Sequence, residues 1–170
     1  MERRAEVPRA AVAVTPDDLD PLTGGLRWER FQFMLAAEQA QASGVLLAID
    51  LTTRSDQALA ATGQTVDDIL PWMAKAISQA IRRDDLLSHL EGFRFAVLLR
   101  GAPQDMAAAI SERILESVDD TIFLTKDGIV HLDVSVGGAV YAQSLERDVL
   151  GKAMLNLDVA RESPRGILVQ

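Results

Sequence analysis

Leu90-Glu91-Gly92-Phe93-Arg94-Phe95, running on into Ala96-Val97-Leu98-Leu99, decides how the rest of the chain is read. The stretch has the pattern of a strand, a tight turn at Glu91-Gly92 and a second, wholly apolar strand. Its turn carries Phe93 and Arg94. A phenyl ring offers no ligand to a divalent metal and a guanidinium repels one. Metal-dependent phosphoryl transfer centred on this turn is therefore chemically disfavoured. The hairpin is a scaffold for a site without the acids such chemistry needs.

Working outward, Val66, Ile69, Leu70, Met73, Ile77 and Ile81 trace one face of a helix that stops near Arg82-Arg83-Asp84-Asp85. Upstream, Val45-Leu46-Leu47-Ala48-Ile49 is a continuous apolar run, the mark of a central strand covered on both faces, and it delivers Asp50 at its carboxyl end. Trp28, Phe31 and Leu35 predict a helix over 26–41 that ends before Ser43-Gly44, and Trp28 and Trp72 both fit core stripes. Downstream, Pro103 opens a helix running to about 117, with Met106, Ile110 and Ile114 stacked. Residues 121–125 and 129–141 flank the turn signal Lys126-Asp127-Gly128, and Val130, Leu132, Val134 and Val136 alternate with polar neighbours. Ser144 can cap a last helix with Val149, Ala153, Met154, Leu157 and Ala160 inside, and Ile167-Leu168-Val169 closes the chain as a strand. The order is helix, strand, helix, hairpin, helix, hairpin, helix, strand. It implies an α+β fold, a central mixed β-sheet flanked by helices, close to a ferredoxin-like or polymerase-palm arrangement.

Composition bounds the functions open to such a fold. A chain of 170 residues, 48% hydrophobic, buries about 70% of its extended surface as one domain. The formal charge of −8 argues against a nucleic acid polymer or an acidic membrane face as partner. With no cysteine there are no disulfides, thiolate metal sites or thiol redox chemistry, which suits a reducing cytoplasm. Residues 1–19 hold two prolines and mixed charge without a sustained period and read as a tail or lead-in segment, with the domain over 20–170. The apolar run at 10–14 is too short for a signal peptide or a membrane span.

Four stretches in order carry a resemblance. Asp20-Pro21-Leu22-Thr23-Gly24, Leu47-Ala48-Ile49-Asp50-Leu51, Glu91 to Leu99, and Asp133-Val134-Ser135-Val136-Gly137 resemble successive motifs of the GGDEF-domain family, the bacterial diguanylate cyclases that make cyclic di-GMP from GTP. The resemblance implies a nucleotidyl-cyclase palm and a vestigial active site at Asp50, Asp68, Glu91, Gly92, Phe93 and Arg94. In active members two carboxylates hold two divalent ions that polarise the triphosphate. Here Phe93 and Arg94 stand at the third and fourth motif positions, Glu91 replaces the first glycine, Thr52 replaces a second acid, and Asp50 is left as a lone ligand. The guanine-contacting asparagine falls at Ala58 or Leu59, and only Asp68 survives as the second guanine contact. The resemblance thus implies a catalytically inactive member with no catalytic residues, no metal site and no cofactor. Residual GTP binding through Asp50 and Asp68 is the weakest alternative.

Duller readings stand beside these. Asp68, three residues after Thr65, suits a helix cap. Pro71, though, would fall inside a helix begun at Thr65, so Asp68 is predicted to cap a later start. An acid at a strand end such as Asp50 is ordinarily solvated. His89 and His131, on different predicted strands without catalytic partners, read as structural or exposed.

Arg82-Arg83-Asp84-Asp85 contains R-x-x-D, separated from Glu91-Gly92 by Leu86 to Leu90. The same offset marks the family's inhibitory site for cyclic di-GMP. Arg pairs with guanine N7 and O6 or a phosphate, and Asp accepts from guanine N1–H and N2–H. Arg82 and Asp85 are the candidate cyclic di-GMP contacts, and Arg113 resembles the second arginine of that site. The alternatives are a surface ion pair for Arg82 and Asp85, a solvated helix face for Arg113, and a helix-dipole role for Arg161, which also resembles a basic position near the substrate phosphates. The expected function is a non-enzymatic cyclic di-GMP receptor that signals through a protein partner. The alternative is a ligand-independent interaction module, and homodimerisation is left open.

Overall fold

The computed structural model describes residues 14–125, 128–142 and 148–170. Its centre is β1 (Gly44–Leu51), whose residues from Gly44 to Ile49 and Leu51 are buried. The apolar run at 45–49 is covered on both faces, as predicted. Val45, Leu47, Ile49 and Leu51 face one core and Leu46 and Ala48 the other, the two-residue alternation of a strand. On one side β1 pairs antiparallel with β3 (Phe95–Arg100), which pairs with β2 (Leu86–His89). On the other it pairs antiparallel with β6 (Val134–Tyr141), and β6 pairs parallel with β7 (Ile167–Val169). The sheet order is β2-β3-β1-β6-β7, mixed as expected.

Helices cover both faces. α1 (Trp28–Gln41) and α5 (Val149–Glu162) pack over Leu46, Ala48, Leu98 and Ala139. α3 (Val66–Ala80) and α4 (Gln104–Asp119) pack over the opposite face, with Ile69, Met73, Ile77, Ile110 and Ile114 inside. β6 reaches α5 closely because Gly137 has no side chain: a Cβ there would fall within the backbone of Leu157 and 2.6 Å from the Ala153 carbonyl oxygen. No helix among the described residues is long and apolar enough to cross a membrane.

Several expectations are corrected. A further helix, α2 (Thr53–Thr62), lies between β1 and α3, capped by Thr52, whose hydroxyl accepts from Ser55 N, and closed by Gly63 in the left-handed region. Only Ser55 and Leu59 of α2 are buried, so its apolar periodicity is too thin to read. α3 starts at Val66 and carries Pro71 inside it. Asp68 does not cap a later start. Its carboxylate accepts from the backbone N–H of Thr65 at 3.2 Å and the hydroxyl at 2.9 Å, as the third residue of a capping box. The strand expected over 129–141 is broken: β4 (Phe123–Thr125) and β5 (Gly128–Val130) form their own two-stranded sheet, and β6 starts only at Val134. The break at 131–133 is held by α2 and its cap, since Thr52 N donates to Asp133 O and Asp133 N to the Ser55 hydroxyl. His131 is exposed in this break rather than on a strand. Trp72 is 44% exposed, not core, and Met106 is 40% exposed while Ile110 and Ile114 are buried. Lys126, Asp127 and the proposed Ser144 cap lie outside the described residues, and Asp148 caps α5 through Gly151 N.

Candidate functional site

The turn between β2 and β3 is built on Gly92. Its φ is +53°, and Arg94 N donates to Glu91 O at 2.8 Å. Leu90 N donates to Arg94 O at 2.9 Å, so the β2–β3 register closes around residues 91–93, and glycine takes the positive φ there without strain. His89 Nε2 lies 2.8 Å from Gly92 O and its ring sits 5.3 Å from that of Phe95, which is the structural role expected of it. From this turn Phe93 and Arg94 part ways. Phe93 is partly buried against the core on the α3 side. Arg94 reaches the other face, where β1 ends.

There it holds Asp50. Arg94 Nε donates to Asp50 Oδ2 at 3.0 Å, and Nη2 lies 3.0 Å from the same oxygen. Asp50 Oδ1 accepts from Leu51 N at 2.8 Å. Arg161, from the last turn of α5, brings Nη1 to 3.9 Å from Oδ2, and its buried Nε has no hydrogen-bond partner among the described residues. Met154 Sδ lies 3.9 Å from Arg94 Nη1. The expected solvated carboxylate is therefore corrected: the Asp50 side chain is 16% exposed and faces two guanidiniums.

A divalent ion does not fit this set. Both Asp50 oxygens already accept hydrogen bonds, Phe93 supplies no oxygen, and two guanidinium charges against one carboxylate leave a net positive field. Among the described residues no group of three or more His, Asp or Glu gathers elsewhere.

Arg82 and Asp85 are brought together, at the far end of β2 from the turn. The four residues of β2 put about 13 Å between the two places. Asp85 accepts from Arg82 three times: Nε to Oδ2 at 3.0 Å, Nη2 to Oδ1 at 2.8 Å, and the backbone N–H to Oδ2 at 2.9 Å. Arg82 also donates through Nη2 to Arg100 O at 3.0 Å and through Nη1 to Met106 Sδ at 3.2 Å. The pair is no loose surface contact, because the Asp85 side chain is 0% and the Arg82 side chain 32% exposed. Arg113 lies on an exposed face of α4, as its alternative reading expected, and from there its Nε and Nη2 donate to Ala80 O at 3.2 and 2.6 Å, satisfying a carbonyl in the last turn of α3. Sequence reasoning did not single out Glu38 or Arg100, and it read Met106 only as part of a helix stripe. An arginine closing an apolar strand, Arg100 after Phe95-Ala96-Val97-Leu98-Leu99, was the available signal.

Residues 18–166 match the family model described as diguanylate cyclase, GGDEF domain. The uncharacterized protein YhcK of Bacillus subtilis (strain 168) is 35% identical over 82 residues, covering 48% of this chain and 23% of that protein. The diguanylate cyclase SiaD of Pseudomonas aeruginosa, solved in complex with its activator SiaC, superposes with a TM-score of 0.78 at 22% identity, covering 89% of this chain and 61% of that one. The GGDEF domain of DgcB from Caulobacter crescentus, solved in complex with c-di-GMP, gives 0.76 at 16% identity over 92% of this chain and 98% of that one. This chain thus spans less than a quarter of YhcK and less than two thirds of the SiaD chain, and the structural likenesses are likenesses of fold. With the family model running from the lead-in turn to the α5–β7 turn, across the hairpin whose Arg94 holds Asp50, the chain belongs to the GGDEF-domain family of diguanylate cyclases.

Proposed function

We propose that this chain is a catalytically silent GGDEF domain that acts by binding, taking up cyclic di-GMP at the Arg82–Asp85 edge and passing the change to a protein partner. The observation that carries the first part is Arg94 on Asp50. The carboxylate that would hold a metal is neutralised by a cation built into the chain, and the third motif position, Phe93, is a phenyl ring packed against the core. Cyclisation of GTP needs metal ions to draw charge from the triphosphate, and this arrangement repels them.

Support for the ligand comes from the chemistry of the edge and from the fold. A guanidinium and a carboxylate side by side match the N7/O6 and N1–H/N2–H edges of guanine. The DgcB domain of the same fold was solved with c-di-GMP and SiaD with a protein activator. Binding requires the pair to open, since both Asp85 oxygens are taken by Arg82. Opening it costs about 1–3 kcal/mol, which weakens apparent affinity by about 5- to 150-fold relative to an open edge. Calorimetric titration tests the reading: wild type should bind cyclic di-GMP at tens of micromolar or tighter, and Arg82→Ala should abolish the heat. No heat with wild type would remove the receptor.

A second reading is favoured by the complete enclosure of the Asp85 side chain. The pair then serves as a staple that fixes the α3–β2 turn to β3 and α4, and the domain docks a protein without ligand. Leu155 and Val159, one turn apart on α5 and 67% and 57% exposed, would offer that partner an apolar contact. In that case Arg82→Ala lowers stability while wild type shows no titration heat.

A further inference from the structure

Arg100 stands where two polar assemblies meet. Its backbone carbonyl accepts from Arg82 Nη2 at 3.0 Å, at the end of the α3–β2 turn. Its side chain leaves β3 on the same face as Ala96 and Leu98, the face that packs on α1. There its Nε lies 3.4 Å from Glu38 Oε1, and the two residues are 8% and 4% exposed. Glu38 belongs to the last full turn of α1, and its carbonyl accepts from Ala42 N at the helix end. Tyr141, at the end of β6, completes the assembly. Its hydroxyl is buried with no hydrogen-bond partner among the described residues and lies over Gly44, where a Cβ would come within 2.5 Å of it. Burial chiefly, and Glu38 next, make that hydroxyl hold its proton more tightly than usual, while Arg100 partly offsets them.

A buried carboxylate and a buried guanidinium are tolerated only while they face each other, so either loses heavily when its partner moves. The position of Arg100 therefore decides both where Arg82 docks and where Glu38 finds its counter-charge. We propose that Arg100 couples the Arg82–Asp85 latch to α1. Opening the latch releases the end of β3 and loosens the Glu38 anchor, and Glu38 in turn is a positioning residue for Arg82. The trigger rests on the reading of Arg82 as a cyclic di-GMP contact, whereas the coupling is a property of the ligand-free chain.

Amide hydrogen exchange of the whole ligand-free chain tests it. Arg82→Ala should raise exchange over residues 34–42 by about fivefold or more, while α5, packed on the same face, stays within about twofold. Thermal unfolding gives the second measurement. The fall in Tm for Arg82→Ala combined with Glu38→Gln should be smaller than the sum of the two single shifts. Equal increases in α1 and α5, or additive shifts, would overturn the coupling. Intact coupling with no cyclic di-GMP heat would instead remove the ligand and leave the coupling standing. Cyclic di-GMP heat without any change of exchange in α1 would do the reverse.

Discussion

Replacing Arg94 by alanine isolates the contact with Asp50 on which the proposed catalytic silence rests. Asp50 and Arg94 are 16% and 21% exposed at their side chains, between the exposed pairs worth at most about 1 kcal/mol and the buried ones whose breaking costs about 3–5 kcal/mol. In Arg94→Ala, Asp50 keeps the Leu51 N–H at 2.8 Å and Arg161 at 3.9 Å, which moderates the loss. The expected destabilisation is about 1.5 kcal/mol, a fall of about 3–6 °C in Tm for a chain of this size. Asp50→Ala should cost more, about 2–4 kcal/mol, because it leaves two guanidiniums facing each other with one buried Nε still unpaired. The assay is differential scanning fluorimetry with and without millimolar Mg²⁺. Wild type should show no Mg²⁺-dependent shift, because its lone carboxylate is already neutralised. A wild-type Tm that climbs with Mg²⁺, or an Arg94→Ala variant as stable as wild type, would contradict the assignment of Arg94 as the built-in cation.

Three further outcomes are expected. Gly137→Ala should destabilise by about 3 kcal/mol, read by urea unfolding, because its Cβ would meet the backbone of α5. Tyr141→Phe should be neutral or stabilising by up to about 1 kcal/mol near pH 7, since it removes a buried hydroxyl without a partner. The raised pKa of Tyr141 means that the unfolded chain ionises near pH 10 while the folded one resists. Wild type should therefore lose stability as pH rises above about 10, more steeply than Tyr141→Phe in thermal unfolding scans. Asp68→Ala should cost about 1 kcal/mol in thermal unfolding through loss of the capping box, and the loss should be the same with and without GTP.

The central strand, the hairpin and the helix stripes were legible because each writes its burial into a period. Val45 to Ile49 is apolar throughout because both faces are covered, and Ile69, Met73 and Ile77 recur at helical spacing because one face is. α2 left no such mark, since a helix with two buried residues needs little apolar sequence. Its caps, Thr52 and Gly63, were the readable signal. The break before β6 was hidden because Leu132, buried outside any strand, keeps the alternation of its neighbours. At the site, the positive charge that Arg94 brings to the turn was legible from the sequence alone, whereas its bond to Asp50 joins residues 44 positions apart and follows only from the β1–β3 register. Arg82 and Asp85 meet within one turn, so their proximity was readable; the further contacts that hold the Arg82 guanidinium, to Arg100 O and Met106 Sδ, are brought in by the fold from β3 and α4.

The most direct test of catalytic silence is to incubate the purified chain with GTP and Mg²⁺ and separate the products by chromatography. Wild type and Asp50→Ala are both expected to form no cyclic di-GMP above the protein-free background. Cyclic di-GMP formed by wild type and lost in Asp50→Ala would contradict the account, because it would mean that Asp50 holds a metal in spite of Arg94.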